Sequence, residues 1–155
     1  VMSIARSGFQ RPLVSAGVCL LLALSLVGCD RARQSRDVGQ AWLDALNSQD
    51  SERVVALLDP AATYVDPSTP QVMTPDVLRG WLKQSWSMWK ERRYTPGAII
   101  ATPDTVVIEW RLAQTHVRGT KVPMQGITLI EHRGGRIQHV RDYYNAGLYL
   151  QFLNR

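Results

Sequence analysis

The fold of this chain is decided by the stretch Thr105–Tyr144, TVVIEWRLAQTHVRGTKVPMQGITLIEHRGGRIQHVRDYY. Apolar and polar residues alternate from Thr105 to His116, which is typical of a strand with one buried face. Two further strand-like segments follow after short turns, Lys121–Glu131 and Arg136–Tyr144. The second turn, Arg133-Gly134-Gly135, is a hairpin signal. Three consecutive strands joined by short turns predict an antiparallel sheet.

The residues upstream of this stretch have helical periodicity. A first helix is predicted to begin at Ser35, which can cap it, and a short second helix at Ser51-Glu52. A third is predicted to begin at Thr74-Pro75-Asp76 and to extend to Trp89. Because helices come first and strands follow consecutively, the pattern predicts an α+β fold with about three N-terminal helices packed on a curved antiparallel sheet.

The N-terminal segment has the features of an export signal. Arg6 and Arg11 precede an apolar run, Leu13–Val27, that is shorter than the ~20 residues of a membrane-spanning helix. The run ends in Leu26-Val27-Gly28-Cys29, which resembles the lipobox of bacterial lipoproteins. We therefore expect residues 1–28 to be a cleaved lipoprotein signal peptide. An uncleaved membrane anchor and an ordinary signal peptide with an incidental cysteine are the alternatives.

Cleavage would leave a small lipid-anchored domain. Cys29 would be the lipid attachment site, residues 29–34 a linker, and residues 35–155 the folded domain. The expected location is the cell envelope, on the extracytoplasmic side of a membrane and on its periplasmic face in a Gram-negative cell. The formal charge of the whole chain is +5, and two of its cations belong to the signal. No block of basic residues remains that would predict nucleic-acid binding.

The common sequence motifs of enzymes are absent. The three histidines, His116, His132 and His139, lack a partner at metal-ligand spacing. The chain has no glycine-rich phosphate loop after a strand and no Gly-x-Ser-x-Gly motif. We therefore expect no metal and no cofactor.

Acidic and aromatic residues are the remaining candidates for chemistry. Tyr64 and Asp66 would share one face of a strand, and so would Glu109 and Arg111. Asp142 lies in the final strand. A carboxylate among apolar side chains has a raised pKa and can act as an acid or base near neutral pH. For each residue a structural role is the alternative: an Asx turn for Asp66, a solvated sheet face for Glu109 and Arg111, and, for Asp142, a structural partner for Arg141 or a backbone amide. The aromatic candidates for the pocket wall, which also suit a core, are Trp42, Trp81 and Trp86.

Five segments of the chain resemble a known family. They are Ala41–Asn47, Ala62–Pro67, Val107–Trp110, Gly126–Leu129 and Gly135–Tyr144. Together they resemble the SnoaL-like branch of the nuclear transport factor 2-like superfamily, over about residues 35–153. The resemblance implies a cone: a curved antiparallel sheet wrapped around helices, with an apolar internal pocket. Members are commonly dimers.

Enzymes of this superfamily imply roles for particular positions. By resemblance to ketosteroid isomerase, Asp66 of the Asp-Pro step is the general base, whereas Trp42 replaces the oxyanion-hole tyrosine. Limonene epoxide hydrolase has an acid pair that falls at Asp142 and near Glu109, with Tyr64 at a water-positioning residue. Its bridging arginine is missing unless Arg111 substitutes. SnoaL-like polyketide cyclases use an acid at the position of Asp142.

Two functions follow from these expectations. The first is a membrane-anchored domain that binds a small hydrophobic molecule and in which Asp142, assisted by Glu109 or Asp66, performs cofactor-free hydration, isomerisation or cyclisation. The second is a non-catalytic envelope module that assembles through the open sheet face. The sequence leaves open whether the protein is an enzyme. A void faced by two carboxylates favours the first function, and a cone filled by tryptophans favours the second.

Overall fold

The structure, a computed structural model, describes residues 14–153, with side chains over residues 30–152. The elements are α1 (Val14–Ser48), α2 (Ser51–Val55), β1 (Leu58–Val65), β2 (Val72–Met73), α3 (Pro75–Trp86), β3 (Trp89–Ala101), β4 (Thr105–His116), β5 (Met124–Arg133), β6 (Arg136–Tyr144) and α4 (Ala146–Leu153). The start of the predicted signal and the side chain of Cys29 lie outside these described residues. Within them, no helix combines the length and apolarity needed to cross a bilayer.

The six strands form one curved sheet in the order β2-β1-β6-β5-β4-β3. Neighbours are antiparallel, except that β1 and β6 run parallel. The turn between β5 and β6 is tight because Gly134 and Gly135 adopt positive φ angles of 56° and 88°. This architecture confirms the predicted α+β fold, with N-terminal helices on one face of a curved sheet.

The core lies between the inner face of the sheet and the helices α1 and α3. Alternate residues of β4 point inward and are buried, whereas the residues between them face outward. The apolar faces of α1 and α3 cover this inner surface, and each fully buried side chain contributes about 1.5–3 kcal/mol. The largest fully buried side chains include Trp42, Leu43, Leu78, Ile108, Trp110 and Ile130.

Two predicted boundaries are wrong. Residues 30–34 are helical rather than a linker, because no glycine or proline interrupts the helix there. Ser35 therefore lies inside α1, where its hydroxyl donates to the Thr102 carbonyl at 2.6 Å instead of capping a helix. The third helix ends at Trp86 rather than extending to Trp89, and Trp89 begins the long strand β3.

Candidate functional site

A small cavity lies inside the cone between the sheet, α3 and α4. Its volume is about 30 Å³, which is room for one water molecule. Two carboxylates face it, Asp66 and Asp142, together with the guanidinium of Arg92. The other lining residues are Tyr64, Trp81, Leu82, Ser85, Tyr94, Trp110, Leu112, Gln114, Met124, Tyr144 and Tyr149. The interior therefore has the two carboxylates expected of a catalytic cone, within walls that are largely aromatic.

Asp142 is held from both sides by hydroxyl donors. The Tyr64 hydroxyl donates to its Oδ2 at 2.6 Å, and the Thr128 hydroxyl donates to its Oδ1 at 2.5 Å. Thr128 is the direct cross-strand partner of Asp142, which places its hydroxyl there. The indole N–H of Trp110 donates to Thr128 Oγ1 at 2.9 Å, so the single proton of this hydroxyl points to Asp142. The chain Trp110–Thr128–Asp142 thus fixes the carboxylate.

Burial gives Asp142 an acidity suited to proton transfer. Desolvation is the main cause that raises its pKa, from 3.8 to about 6, and the charge of Asp66 raises it further. The hydrogen bonds from Thr128 and Tyr64 and the charge of Arg92 act in the opposite direction, because they stabilise the ionised form. Both protonation states are therefore populated near neutral pH, as an acid–base catalyst requires.

Tyr64 is a proton donor to this carboxylate. Burial, followed by the charges of Asp142 and Asp66, raises its pKa well above 10.0, so the phenol keeps its proton. The ring is fixed between two indoles, with centroids 6.1 Å from Trp42 and 6.0 Å from Trp81. Tyr64 therefore orients Asp142 without competing with it as a base.

Asp66 combines the Asx turn that the sequence allowed with a position at the cavity. It forms an Asx turn, in which the Ser68 amide and hydroxyl donate to its Oδ1 at 2.8 and 2.5 Å. It is also buried and faces the cavity, where the Tyr144 hydroxyl donates to the same oxygen at 2.7 Å. These donors hold the side chain of Asp66 in a fixed position beside Asp142.

The predicted pairing of Glu109 with Asp142 is wrong. Glu109 and Arg111 are exposed and occupy the outward positions of β4, whereas the cavity is on the inner face. Glu109 Oε2 accepts a long hydrogen bond from the Ala98 amide at 3.4 Å. Because side chains alternate along a strand, these odd-numbered residues cannot reach the interior. Neither residue belongs to the cavity.

The three predicted tryptophans divide between wall and core. Trp81 lines the cavity. Trp42 and Trp86 are buried in the hydrophobic core and do not line it, although Trp42 packs on Tyr64. Their indole nitrogens are buried without a hydrogen-bond partner. Trp42 therefore acts on the site only through Tyr64.

Several residues of the cavity were missed from the sequence. Thr128 on β5 and Gln114 on β4 occupy inward-facing positions. The alternation of apolar and polar residues along these strands could have identified them. Arg92 and Tyr94 were missed because the first part of β3 is rich in charge and no strand was predicted there. The missed residues that contribute most to the cavity are Arg92, Gln114, Trp110, Thr128 and Tyr149.

A larger groove adjoins the cavity beneath α4. Its volume is about 790 Å³, and it shares Leu112, Met124, Tyr144 and Tyr149 with the cavity. Tyr149 on α4 packs against Trp89 and Tyr144, with ring centroids 6.0 and 6.2 Å apart. This side chain thus forms the wall between the buried carboxylates and an open groove.

The described residues contain no group of three His, Cys, Asp or Glu side chains that could hold a metal ion.

The chain belongs to the SnoaL-like domain family, whose pattern matches residues 40–140. No curated protein matches it in sequence. Solved structures share the fold. One is a hypothetical protein from Catenulispora acidiphila with a ketosteroid isomerase-like fold, in complex with trimethylamine; identity is 24%, coverage 70% of this chain and 85% of that chain, and TM-score 0.65.

Two further structures are similar to this chain. TerC, co-crystallised with polyporic acid, has 16% identity over 79% of this chain and 99% of its own, with a TM-score of 0.70. A putative SnoaL-like polyketide cyclase from Shewanella putrefaciens has 12% identity over 78% and 96%, with a TM-score of 0.68. At these identities the likeness shows the fold alone.

Proposed function

We propose that the domain binds a small, largely apolar molecule in the cone and transfers protons to and from it without a cofactor, with Asp142 as the general acid–base. The observation that carries this proposal is the half-buried Asp142, held by Tyr64 and Thr128 beside a second carboxylate. Two members of this fold, the Catenulispora protein and TerC, hold small organic molecules in their structures, which supports a ligand-binding cone.

The proposed chemistry uses the two forms of Asp142 in turn. As a carboxylate it accepts a proton from a carbon acid or a water molecule, and as an acid it returns the proton to another atom of the substrate. Tyr64 and Thr128 hold the two oxygens during both steps. Such a cycle serves hydration, isomerisation or cyclisation, and general acid–base catalysis of this kind contributes ~10²–10⁴-fold.

A substrate needs more room than the cavity has. We infer that Tyr149 moves aside and joins the cavity of about 30 Å³ to the groove of about 790 Å³. Aromatic packing holds this ring, on the short terminal helix α4. A rotation of one side chain is therefore enough to connect the two spaces.

Nitrobenzisoxazole tests the proposal, because a carboxylate base removes its C–H proton while the N–O bond breaks and a coloured nitrophenolate forms. We expect Asp142→Asn to lower the wild-type rate by about 100-fold or more. Glu109→Gln is the matched control, since its carboxylate lies on the outer face, and it should keep the full rate. Equal rates for wild type and Asp142→Asn, or a wild-type rate no faster than acetate at equal concentration, would overturn the proposal.

We further propose that Cys29 is lipidated and that the domain works at the extracytoplasmic surface of a membrane. The exposed side chains of Arg31 and Arg33 support this, because cations next to the anchor favour anionic headgroups. Mass spectrometry of the native protein should show a chain that begins at Cys29 with added acyl mass. An intact, unmodified N-terminus would refute lipidation.

The exposed outer face of the sheet favours a second candidate function, a dimer or envelope assembly module. Ile100, Ile127 and Tyr143 are 66%, 43% and 56% exposed and line one shallow pocket of this face. Apolar side chains that are grouped in this way are typical of association surfaces. Light scattering at micromolar concentration should return a dimer mass, and Ile127→Lys should reduce it to the monomer. A wild-type chain that scatters only as a monomer rejects the dimer.

A further inference from the structure

Arg92 and Gln114 each have one buried polar atom that lacks a hydrogen-bond partner. They are direct cross-strand neighbours on β3 and β4, and both line the cavity. Arg92 Nε and Gln114 Oε1 are buried without a hydrogen-bond partner. Unsatisfied buried polar atoms cost free energy, so two of them side by side in one cavity call for an explanation.

The charge of Arg92 is also without a close counterion. Its Nη2 donates to the Tyr94 hydroxyl at 2.7 Å, which is a neutral acceptor. Among the ion pairs of the described side chains, none within 4.0 Å involves Arg92. The two carboxylates of the cavity accept from Tyr64, Ser68, Thr128 and Tyr144 instead. The cation is therefore the group of this cavity that is left for a ligand.

Arg92 and Asp142 both line the cavity, but they belong to strands that are not neighbours. Their strands, β3 and β6, are separated by β5 and β4. Three strand spacings correspond to about 14 Å across the sheet, and the register offsets the two residues by six further positions along β4, from Ile108 to Gln114. A ligand anchored at Arg92 would thus extend across the cavity toward Asp142. Aromatic side chains wall this path, including Tyr94, Trp110 and Tyr149, so a flat ring is the body that they fit.

We propose that the ligand of this cavity is a small aromatic carboxylic acid whose carboxylate binds Arg92 and Gln114. A guanidinium binds a carboxylate through parallel, charge-assisted hydrogen bonds. Rotation of the Gln114 amide exchanges its oxygen for its nitrogen, which gives the second carboxylate oxygen a donor. The inference rests on the proposed function in one respect, that the cone admits a small molecule, and it does not depend on the role of Asp142.

Benzoate and benzamide test the inference, because they have the same size and ring but only benzoate is an anion. Calorimetry on the full chain should show benzoate binding about tenfold or more tightly than benzamide. In NMR spectra, benzoate should shift the Nε–H resonance of Arg92. Absence of saturable benzoate binding, or equal affinities for the two probes, would overturn the inference.

Variants of neighbouring arginines show whether the preference arises at Arg92. Arg92→Met should abolish the preference for benzoate, and Arg92→Lys, which keeps the charge, should retain part of it. Arg93→Met is the matched control, since Arg93 is the next residue of β3 and is exposed, and it should leave the preference intact. A preference that survives Arg92→Met would refute the assignment.

Asp142→Asn separates this inference from the proposed function. It should abolish proton transfer and keep the preference for benzoate. If Asp142→Asn retains full proton transfer while benzoate is still preferred, the proposed function fails and the inference stands. If proton transfer depends on Asp142 but benzoate and benzamide bind with equal affinity, the inference fails and the proposed function stands.

Discussion

The two faces of the sheet place a carboxylate in opposite environments. Asp142 on the inner face is enclosed by hydroxyls and aromatic rings, and burial raises its pKa to about 6. Glu109, two strands away in the sheet, faces outward into solvent next to Ile127. Both are carboxylates within a β-strand. Strand parity, rather than residue type, therefore decides which of the two acids faces the cavity.

The same contrast extends to ion pairs. Arg141 and Glu131 form a pair at 2.7 Å on neighbouring strands, with about 40% of each side chain exposed. Arg92, on the inner face, has a phenol rather than a carboxylate as its partner. Water screens the first cation and is largely kept from the second. Arg141 is thus paired with a carboxylate of the chain, whereas Arg92 on the inner face has no carboxylate within 4.0 Å among the described side chains.

The largest expected effect is on the pH dependence of stability at Asp142. A carboxyl group with a raised folded pKa stabilises the fold fully below its unfolded pKa of 3.8 and loses that stability as pH rises through about 6. A shift of about two units costs the wild type about 3 kcal/mol above that range. The free energy of unfolding of Asp142→Asn, relative to that of the wild type, should therefore increase by about this amount between about pH 4 and pH 8.

Denaturant unfolding at several pH values measures this difference. The control is Glu109→Gln, whose curve should run parallel to that of the wild type because its side chain is solvated on the outer face. Parallel curves for Asp142→Asn and wild type would contradict the raised pKa.

The next effect concerns a glycine on each face. A Cβ on Gly126 would lie 2.5 Å from the Tyr143 carbonyl and 2.6 Å from the Trp110 ring, so Gly126→Ala should cost about 2 kcal/mol of stability. A Cβ on Gly97 would meet the flexible end of Glu109 at 2.9 Å, and Gly97→Ala should cost less than about 0.5 kcal/mol. Thermal unfolding of the pair checks this, and equal losses would argue against the difference between the faces.

A smaller effect is expected at Tyr64. Its hydrogen bond lowers the pKa of Asp142, so Tyr64→Phe should raise that pKa further, by up to about one unit. Carbon NMR titration of the Asp142 carboxyl group measures the shift. Tyr143→Phe serves as the control, because this neighbour of Asp142 is 56% exposed on the outer face. An unchanged midpoint in Tyr64→Phe would show that the hydrogen bond does not stabilise the carboxylate.

The smallest effect is expected for the outer ion pair. Glu131→Gln removes the contact with Arg141 and should change the free energy of unfolding by about 0.5 kcal/mol or less, as is usual for exposed pairs. A loss of more than about 2 kcal/mol in denaturant unfolding would mean that this pair is screened far less than its exposure indicates.

The sequence predicted the fold better than the site. Alternation along Thr105–His116 and the Gly134-Gly135 turn are local signals, and the structure confirms the sheet that they predicted. Tyr64, Asp66 and Asp142 were correctly grouped by resemblance, and their catalytic and binding roles stay predictions. Glu109 was misplaced because its nearness in sequence to the position of a family acid was given more weight than the parity of its own strand.

The residues themselves determined the helix-then-strand order, the inward parity of each strand and the lipobox-like N-terminus, because each depends on neighbours in the chain. Only the tertiary structure decided which polar groups meet. Asp142 on β6 meets Tyr64 on β1 although the two are 78 residues apart, and Arg92 on β3 is the register partner of Gln114 on β4. Burial raises the pKa of Asp142 and leaves Arg92 Nε without a hydrogen-bond partner. Desolvation is a property of the closed cone, and no local pattern encodes it.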